Sequence, residues 1–573
     1  MPRAQGTLPE PGTGAATLPE PGTGVATSSA GPGHGERRET PPAPAGPGPA
    51  PVEGGPARSD PVPWLIALAA FAAYTTISVF RYLRLDPGSW DLGIYTQYVW
   101  QIAHLHAPVV TIRGPGFDLL GDHFQPIVVL VAPFFRLFPT PVTLLVTQAL
   151  LTAVSVVPVC RAAQALLGTG VSRVIGAAYG LSWALQQMII FDFHEIAFAV
   201  PLLACSLSAL VRRRPRAAAV WALPLVFVKE DQGLTVAAIG LVMIAAAAWA
   251  QAGLWSFWAA PAASDHKPAR RARATWAGAG AVLVLWGLAW SALAIAVIIP
   301  HFNPAHHYPY WSDGGVVAPH GGHISAGRVL AQVTGGGLEK LGTAVMVLLP
   351  VAFLAVRSPL VTIAAPGLAL RFLATDSTFW GTRWHYSATL MPIVFIAAID
   401  GLARIQARSA RSRAPVTGSR ARAAAPPPSA AAAAHRAPRA ARYAAAAMAA
   451  VAAVLVFRFP LAQLWDPGTY QISPQVRAER AAIARIPAGA TVESTLTTLA
   501  PLATRDATYW IGTPGNPVPR YILFDATDSG YRRVPTDLLG FLDQLYPSVT
   551  YQTIFEADNV YLFRRTVNGP RLS

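Results

Sequence analysis

Asp91 lies in Ser89-Trp90-Asp91-Leu92-Gly93, just past the first long apolar run, about where a membrane helix meets water. Ile94 to Ile102 then read as an amphipathic helix on a membrane surface. A carboxylate held there meets a lipid headgroup and a water-borne substrate together. The chemistry open to it is general base catalysis, taking a proton from a hydroxyl as that hydroxyl attacks. The plainer account is that Ser89 caps the helix and Asp91 sits in its first turn, favoured by the helix dipole. Further on, Gly121-Asp122-His123-Phe124-Gln125-Pro126 sets a polar pair before an apolar helix opened by proline. Asp122 and His123 either begin that helix or share a pocket with Asp91, binding a metal or steering a substrate.

Asp192-Phe193-His194-Glu195 lies between two apolar runs. Carboxylate and imidazole suit several divalent ions, and this spacing selects none of them. Asp192 and His194 are thus candidate metal ligands, weighed against a hydrogen-bonded loop anchor. Lys229-Glu230-Asp231 reads first as a self-neutralising turn. Its functional reading puts Lys229 and Glu230 on a substrate, with Lys229 a point charge for a lipid phosphate. Between Trp380 and Tyr386, Arg383 and His385 stand among aromatics of the membrane-interface kind. Arg383 can grip a phosphate with two parallel hydrogen bonds. The loop with His301, His306, His307, His320 and His323 is flanked by Gly and Pro and reads as solvated. The sequence holds no Walker loop, dinucleotide glycine fingerprint or serine elbow, so nucleotide-driven chemistry is not supported.

The elements that must hold these groups follow from composition. Of 573 residues, 53% are hydrophobic and 13% charged, against about 25% charged in a soluble domain. Apolar runs recur at 62–83, 141–167, 173–191, 196–211, 216–229, 232–252, 276–300, 341–356, 358–374, 385–403 and 442–461. A run near 20 residues spans a bilayer, so about eleven membrane helices are expected. The shorter run 125–138 carries Pro126 and Pro133 and reads as re-entrant or interfacial. The net charge of +15 resides in Arg clusters between apolar runs without stacking aromatics, a topology signal rather than a nucleic-acid surface. With the N-terminus cytoplasmic, every cluster falls on the inner side, including the basic loop 404–441. The acidic and histidine motifs then face the extracytoplasmic side, the first of them in a large outer loop, 84–140. Cys160 and Cys205 fall inside apolar runs and read as small hydrophobes.

The Pro/Gly/Ala-rich stretch 1–60 repeats Thr7–Gly14 as Thr17–Gly24 and reads as a disordered cytoplasmic tail. No cleavable signal peptide is visible behind it. Residues 61–461 read as the transmembrane domain. In 462–573, strand-like runs at Thr491–Glu493, Tyr521–Phe524, Thr550–Phe555 and Val560–Phe563 alternate with helical patterns at 494–503 and 536–546. Asp558-Asn559 is a hairpin signal. A small extracytoplasmic α/β domain is expected there.

Taken together, Trp90-Asp91-Leu92-Gly93-Ile94-Tyr95, Gly121-Asp122-His123-Phe124, Asp192-Phe193-His194, Lys229-Glu230-Asp231 and His385-Tyr386 resemble the bacterial domain of unknown function family 2079, polytopic membrane proteins, over roughly 75–565. More distantly, the order of parts is similar to the C-type glycosyltransferases: a first span, an outer loop with an acid on a surface helix, then a Pro-opened helix. That resemblance implies a polyprenyl-phosphate sugar as donor, a cell-envelope acceptor and a base or metal-site role for Asp91. Many such enzymes carry paired acids at this point. Here Leu92 follows Asp91, which makes Asp122 the candidate partner. The expected protein is a multi-pass plasma-membrane protein that handles membrane lipid, with its metal need open. The alternative is a non-catalytic transporter or lipid-handling protein, which would call for ionisable groups near the bilayer midplane and internal repeats.

Overall fold

The computed structural model describes residues 60–251, 266–311, 326–413, 439–527, 530 and 534–566. The tail before residue 60, His320, His323 and most of the basic loop 404–441 lie outside the described residues.

Among the described residues six helices are long and apolar enough to cross a membrane: Val62–Leu83 (α1), Pro141–Leu167, Gln232–Trp249, Arg270–Phe302, His385–Ser409 and Arg439–Val456. Shorter apolar helices cover Pro126–Leu137, Glu195–Val211, Pro215–Phe227 and Pro359–Leu373. The eleven runs read from sequence and the six long helices differ where the backbone interrupts a run. The run 173–191 is divided at Leu181-Ser182, between Thr169–Gly180 and Trp183–Ile190. The run 341–356 is broken by Ala352 and Phe353, both left-handed (φ 47° and 59°). Hydropathy does not register such breaks, because no charged residue marks them.

Small residues bring two spans together directly ahead of the chemistry. Gly240 faces the backbone of Gly280, and Gly233 faces that of Gly287, across Gln232–Gln251 and His266–Leu293. A Cβ at Gly240 would come within 2.5 Å of the Gly280 carbonyl oxygen, so only glycine permits this approach, as in other close-packed membrane helices. The contact fixes the start of Gln232–Gln251, and with it Lys229-Glu230-Asp231. Ser291 Oγ on the second helix donates to the Glu230 carbonyl at 2.5 Å.

The C-terminal sheet contains β1 (Thr491–Ser494), β2 (Ala507–Trp510), β3 (Tyr521–Asp525), β4 (Tyr551–Ala557) and β5 (Val560–Arg565), in the order β2-β1-β3-β5-β4. β2, β1 and β3 are parallel, while β3–β5 and β5–β4 are antiparallel. Asp558 and Asn559 both take positive φ (47° and 63°), as a two-residue type I′ hairpin requires. The strand Ala507–Trp510 was not legible beforehand. It is a short edge strand following Arg505-Asp506, with no alternation to announce it.

One expectation is corrected here. The helix Asp91–Ala103 (α2) does not lie on a membrane surface, because its Leu92 through Val99 are all buried. Its second face is covered by the C-terminal part of the chain. Gln97 Nε2 donates to the Thr508 carbonyl of β2 at 2.9 Å, and Trp90 meets Trp510 edge-on at 5.5 Å. Gly93 leaves room for Leu499, whose Cβ a new side chain would meet at 3.1 Å. Asp60–Ser573 accordingly forms one compact unit.

Candidate active site

Asp91 opens α2, its amide donating to Ser89 Oγ at 3.0 Å. Asp192 holds the preceding turn in place. Its carboxylate accepts from Gly88 N (2.9 Å) and Ser89 N (3.1 Å), while its own backbone is left-handed (φ 72°). The carboxyl offered as a metal ligand is thus engaged with backbone amides. Among the described residues no group of three or more His, Cys, Asp or Glu is set to hold a metal ion.

His123 is held at both ring nitrogens. Nδ1 meets Glu230 Oε1 at 2.8 Å, and Nε2 meets the Tyr310 hydroxyl at 2.7 Å. Glu230, almost wholly buried, also accepts from Phe124 N (3.1 Å) and the Tyr308 hydroxyl (3.0 Å). That arrangement places a proton on Nδ1, donated to the Glu230 carboxylate. Burial and Lys229 push the His123 pKa down. The charge and hydrogen bond of Glu230, with Asp122, overcome them, and the net shift is upward. Burial raises Glu230, but His123 and Lys229 outweigh it and hold the carboxyl below its usual value. Asp122 pairs with Arg113 at 3.4 Å and accepts from the Tyr310 hydroxyl at 3.3 Å.

A second network lies beside the first. Lys229 Nζ is 3.4 Å from Glu195 Oε1, and His194 Nδ1 is 2.5 Å from Glu195 Oε2. The Tyr95 hydroxyl reaches both Glu195 and Gln125. His385 stacks on His194 with ring centroids 3.9 Å apart. Lys229 is thereby compensated on site. Burial works against its charge, yet Glu195, Glu230 and Asp231 raise its pKa above the ordinary lysine value.

Asp91, Asp122, His123, His194, Lys229, Glu230 and His385 all line one cavity of about 460 Å³, within the range of small-ligand sites. Its lining also carries apolar residues, Ile94, Ile196, Leu234, Ile295, Leu370 and Leu390 among them. Burial raises the Asp91 pKa. His194 and Ser89 oppose that rise, and Glu195 and Asp122 add to it. Asp192 is pushed up to about 7 by burial, against the Gly88 and Ser89 amides.

Arg383 does not join this group. It is exposed and packs its guanidinium 4.6 Å from the Trp384 ring centre. The arginine on the cavity wall is Arg371, which sequence reasoning passed over although it is an ionisable residue inside the apolar run 358–374, a recognised signal. Tyr308 and Tyr310 were also missed, hidden in a loop read only for its histidines. His301, His306 and His307 are exposed and away from the cavity lining.

A family profile described as "Predicted membrane protein (DUF2079)" matches residues 81–562. No curated protein matches. Among solved structures, ArnT from Cupriavidus metallidurans bound to undecaprenyl phosphate is 13% identical, covering 89% of this chain and 99% of that one, with a TM-score of 0.46. Apo ArnT from the same organism gives 12%, 87%, 97% and 0.43. The Archaeoglobus fulgidus oligosaccharyltransferase in its apo form gives 13%, 77%, 64% and 0.32. At such distance the site rests on this chain's own residues.

Proposed function

The chain belongs to the family of predicted membrane proteins with domain of unknown function 2079, and from its site we propose a membrane glycosyltransferase-like activity. In this reading a sugar passes from a polyprenyl-phosphate donor to a cell-envelope hydroxyl at the extracytoplasmic face. The N-terminus lies in the cytoplasm and the sheet domain outside. The observation that carries the proposal is the convergence of five distant polar motifs on one cavity that also presents apolar side chains, Ile94, Ile196, Leu234, Ile295, Leu370 and Leu390. Such a cavity suits a ligand with a charged, reactive head and a hydrocarbon body.

Asp91 takes the proton of the acceptor hydroxyl while the acceptor oxygen bonds to the anomeric carbon. The bond from that carbon to the phosphate oxygen breaks, and the lipid phosphate leaves with the electron pair. Asp91 suits the part because it faces the cavity with no cationic partner within salt-bridge distance among the described residues. Its upward-shifted pKa brings a carboxylate closer to the working pH, where a general base is most effective. Asp122 and His123 orient the acceptor. Glu230 acts one step back, fixing the imidazole, and Lys229 balances the buried carboxylates. No step is routed through a metal.

Asp91→Asn tests this directly. The variant should insert and accumulate normally while the host loses a cell-envelope glycan or glycolipid present with the wild type, read by mass spectrometry. Retention of that product in full would remove Asp91 as the base.

A further inference from the structure

Arg371 is 7% exposed and lines the cavity from the short helix Ala365–Leu373. Three of its donors are fixed on neutral acceptors: Nε on the Phe379 carbonyl (2.9 Å), Nη2 on the Gly381 carbonyl (2.8 Å) and Nη1 on Ser387 Oγ (2.9 Å). A guanidinium has five N–H donors, so these bonds lock its plane and leave two donors over. The other cations near the site are balanced: Lys229 by Glu195 and Arg113 by Asp122. Arg371 has no carboxylate within salt-bridge distance among the described residues. A buried charge without a counter-charge is costly, and a ligand anion would supply what the chain does not.

We propose that Arg371 binds the phosphate of the ligand that occupies this cavity. The residues beside it on the wall, Gly367, Leu370, Ala374 and Leu390, are apolar, which favours a phosphate carried on a hydrocarbon chain. The planar guanidinium matches phosphate geometry better than an ammonium does. The inference rests on the cavity being a ligand site, as proposed above, but not on sugar transfer.

The test is direct binding to the purified full-length chain in lipid nanodiscs, with farnesyl phosphate, farnesol and inorganic phosphate as three separate probes. Wild type should bind farnesyl phosphate, with farnesol and inorganic phosphate each at least about tenfold weaker, since charge-assisted bonds and tail burial each contribute on that scale. Arg371→Gln should weaken farnesyl phosphate about tenfold or more, and Arg371→Lys should recover part of the loss. Equal binding of inorganic phosphate, lost in Arg371→Gln, would keep the anion site and overturn the lipid source. Loss in Lys229→Gln or Arg383→Gln with Arg371→Gln unaffected would overturn the assignment. So would wild-type protein that binds neither anion. Should Arg371→Gln fail to fold, a photoreactive farnesyl phosphate on wild type decides: cross-links within 365–374 or 379–390 support the site, and cross-links elsewhere overturn it. Binding and transfer are read separately: product retained in Asp91→Asn sinks the transfer reading alone, whereas farnesyl phosphate binding unchanged in Arg371→Gln sinks the anion site alone.

Discussion

Removing the Glu230 carboxylate should destabilise the protein, because three donors lose the acceptor they share. In Glu230→Ala, Phe124 N–H, the Tyr308 hydroxyl and His123 Nδ1–H lose the acceptor they now reach at 3.1, 3.0 and 2.8 Å. Each buried donor without a partner costs about 1–3 kcal/mol. Water from the adjoining cavity can satisfy some of them, which puts the total near about 3–5 kcal/mol, the usual cost of breaking a buried pair. Glu230→Gln keeps one acceptor oxygen. If that oxygen stays with His123 and Tyr308, only Phe124 N–H is orphaned, at about 1–3 kcal/mol.

The pair also has a pH signature. His123 is held above its ordinary 6.5, so its contribution is complete below 6.5 and is lost as pH rises through the folded pKa. Glu230 is held below its ordinary 4.5, so its contribution is present above 4.5 and is lost as pH falls through the folded value. The coupling between the two side chains should therefore be largest between pH 4.5 and 6.5. The assay is reversible denaturation of the detergent-solubilised chain, run as a double-mutant cycle with Glu230→Gln and His123→Gln at several pH values. A coupling of about 1.5 kcal/mol or more is expected at pH 5.5, within the range seen for contacting residues. A value under about 0.5 kcal/mol there, or one unchanged at pH 9, would refute the reasoning.

Other predictions follow from single contacts. Gln97→Leu strips the acceptor from Ile112 N and removes one of two donors from the Thr508 carbonyl, which keeps Thr111 Oγ1, and should cost about 1–3 kcal/mol, with increased hydrogen exchange in 91–103. Unchanged exchange there would mean that β2 does not brace α2. Asp192→Ala frees the Gly88 and Ser89 amides and should lower product formation while leaving farnesyl phosphate binding within about twofold. Equal loss of both would argue for direct contact with the ligand. Because burial raises the Asp91 pKa, the rising limb of the pH–rate profile should lie above 3.8 and disappear in Asp91→Asn; a limb that survives belongs to another group. Gly280→Val should disrupt the packing of Gln232–Gln251 on His266–Leu293 and abolish ligand binding, whereas Gly278→Val, which meets nothing within 4 Å, should leave it intact.

Much of this protein can be read without its structure. Apolar runs near bilayer length identify a multi-pass membrane protein because hydrocarbon admits few alternatives to a helix. Period-two runs and Asp558-Asn559 give four of the five strands and the last hairpin, since alternation and turn chemistry are local properties. The motifs around Asp91, Asp122, His194, Lys229 and His385 are visible as clusters of costly ionisable groups in an apolar chain. Their partners are not. Glu230 belongs with His123, 107 residues away, and Asp192 closes the turn before Asp91 across 103 residues. Such pairings depend on which helix ends meet in space, and local pattern carries no trace of it. The burial of α2 is the clearest case. Its sequence is amphipathic, as a surface helix would be, and only the fold shows that the C-terminal part of the chain, at Leu499, Thr508 and Trp510, packs against it. Arg371 and Arg383 make the same point in reverse: the arginine among interfacial aromatics is exposed, and the one inside an apolar run faces the cavity. Residue types set which groups had to find partners or water, and tertiary packing decided which partner each one met.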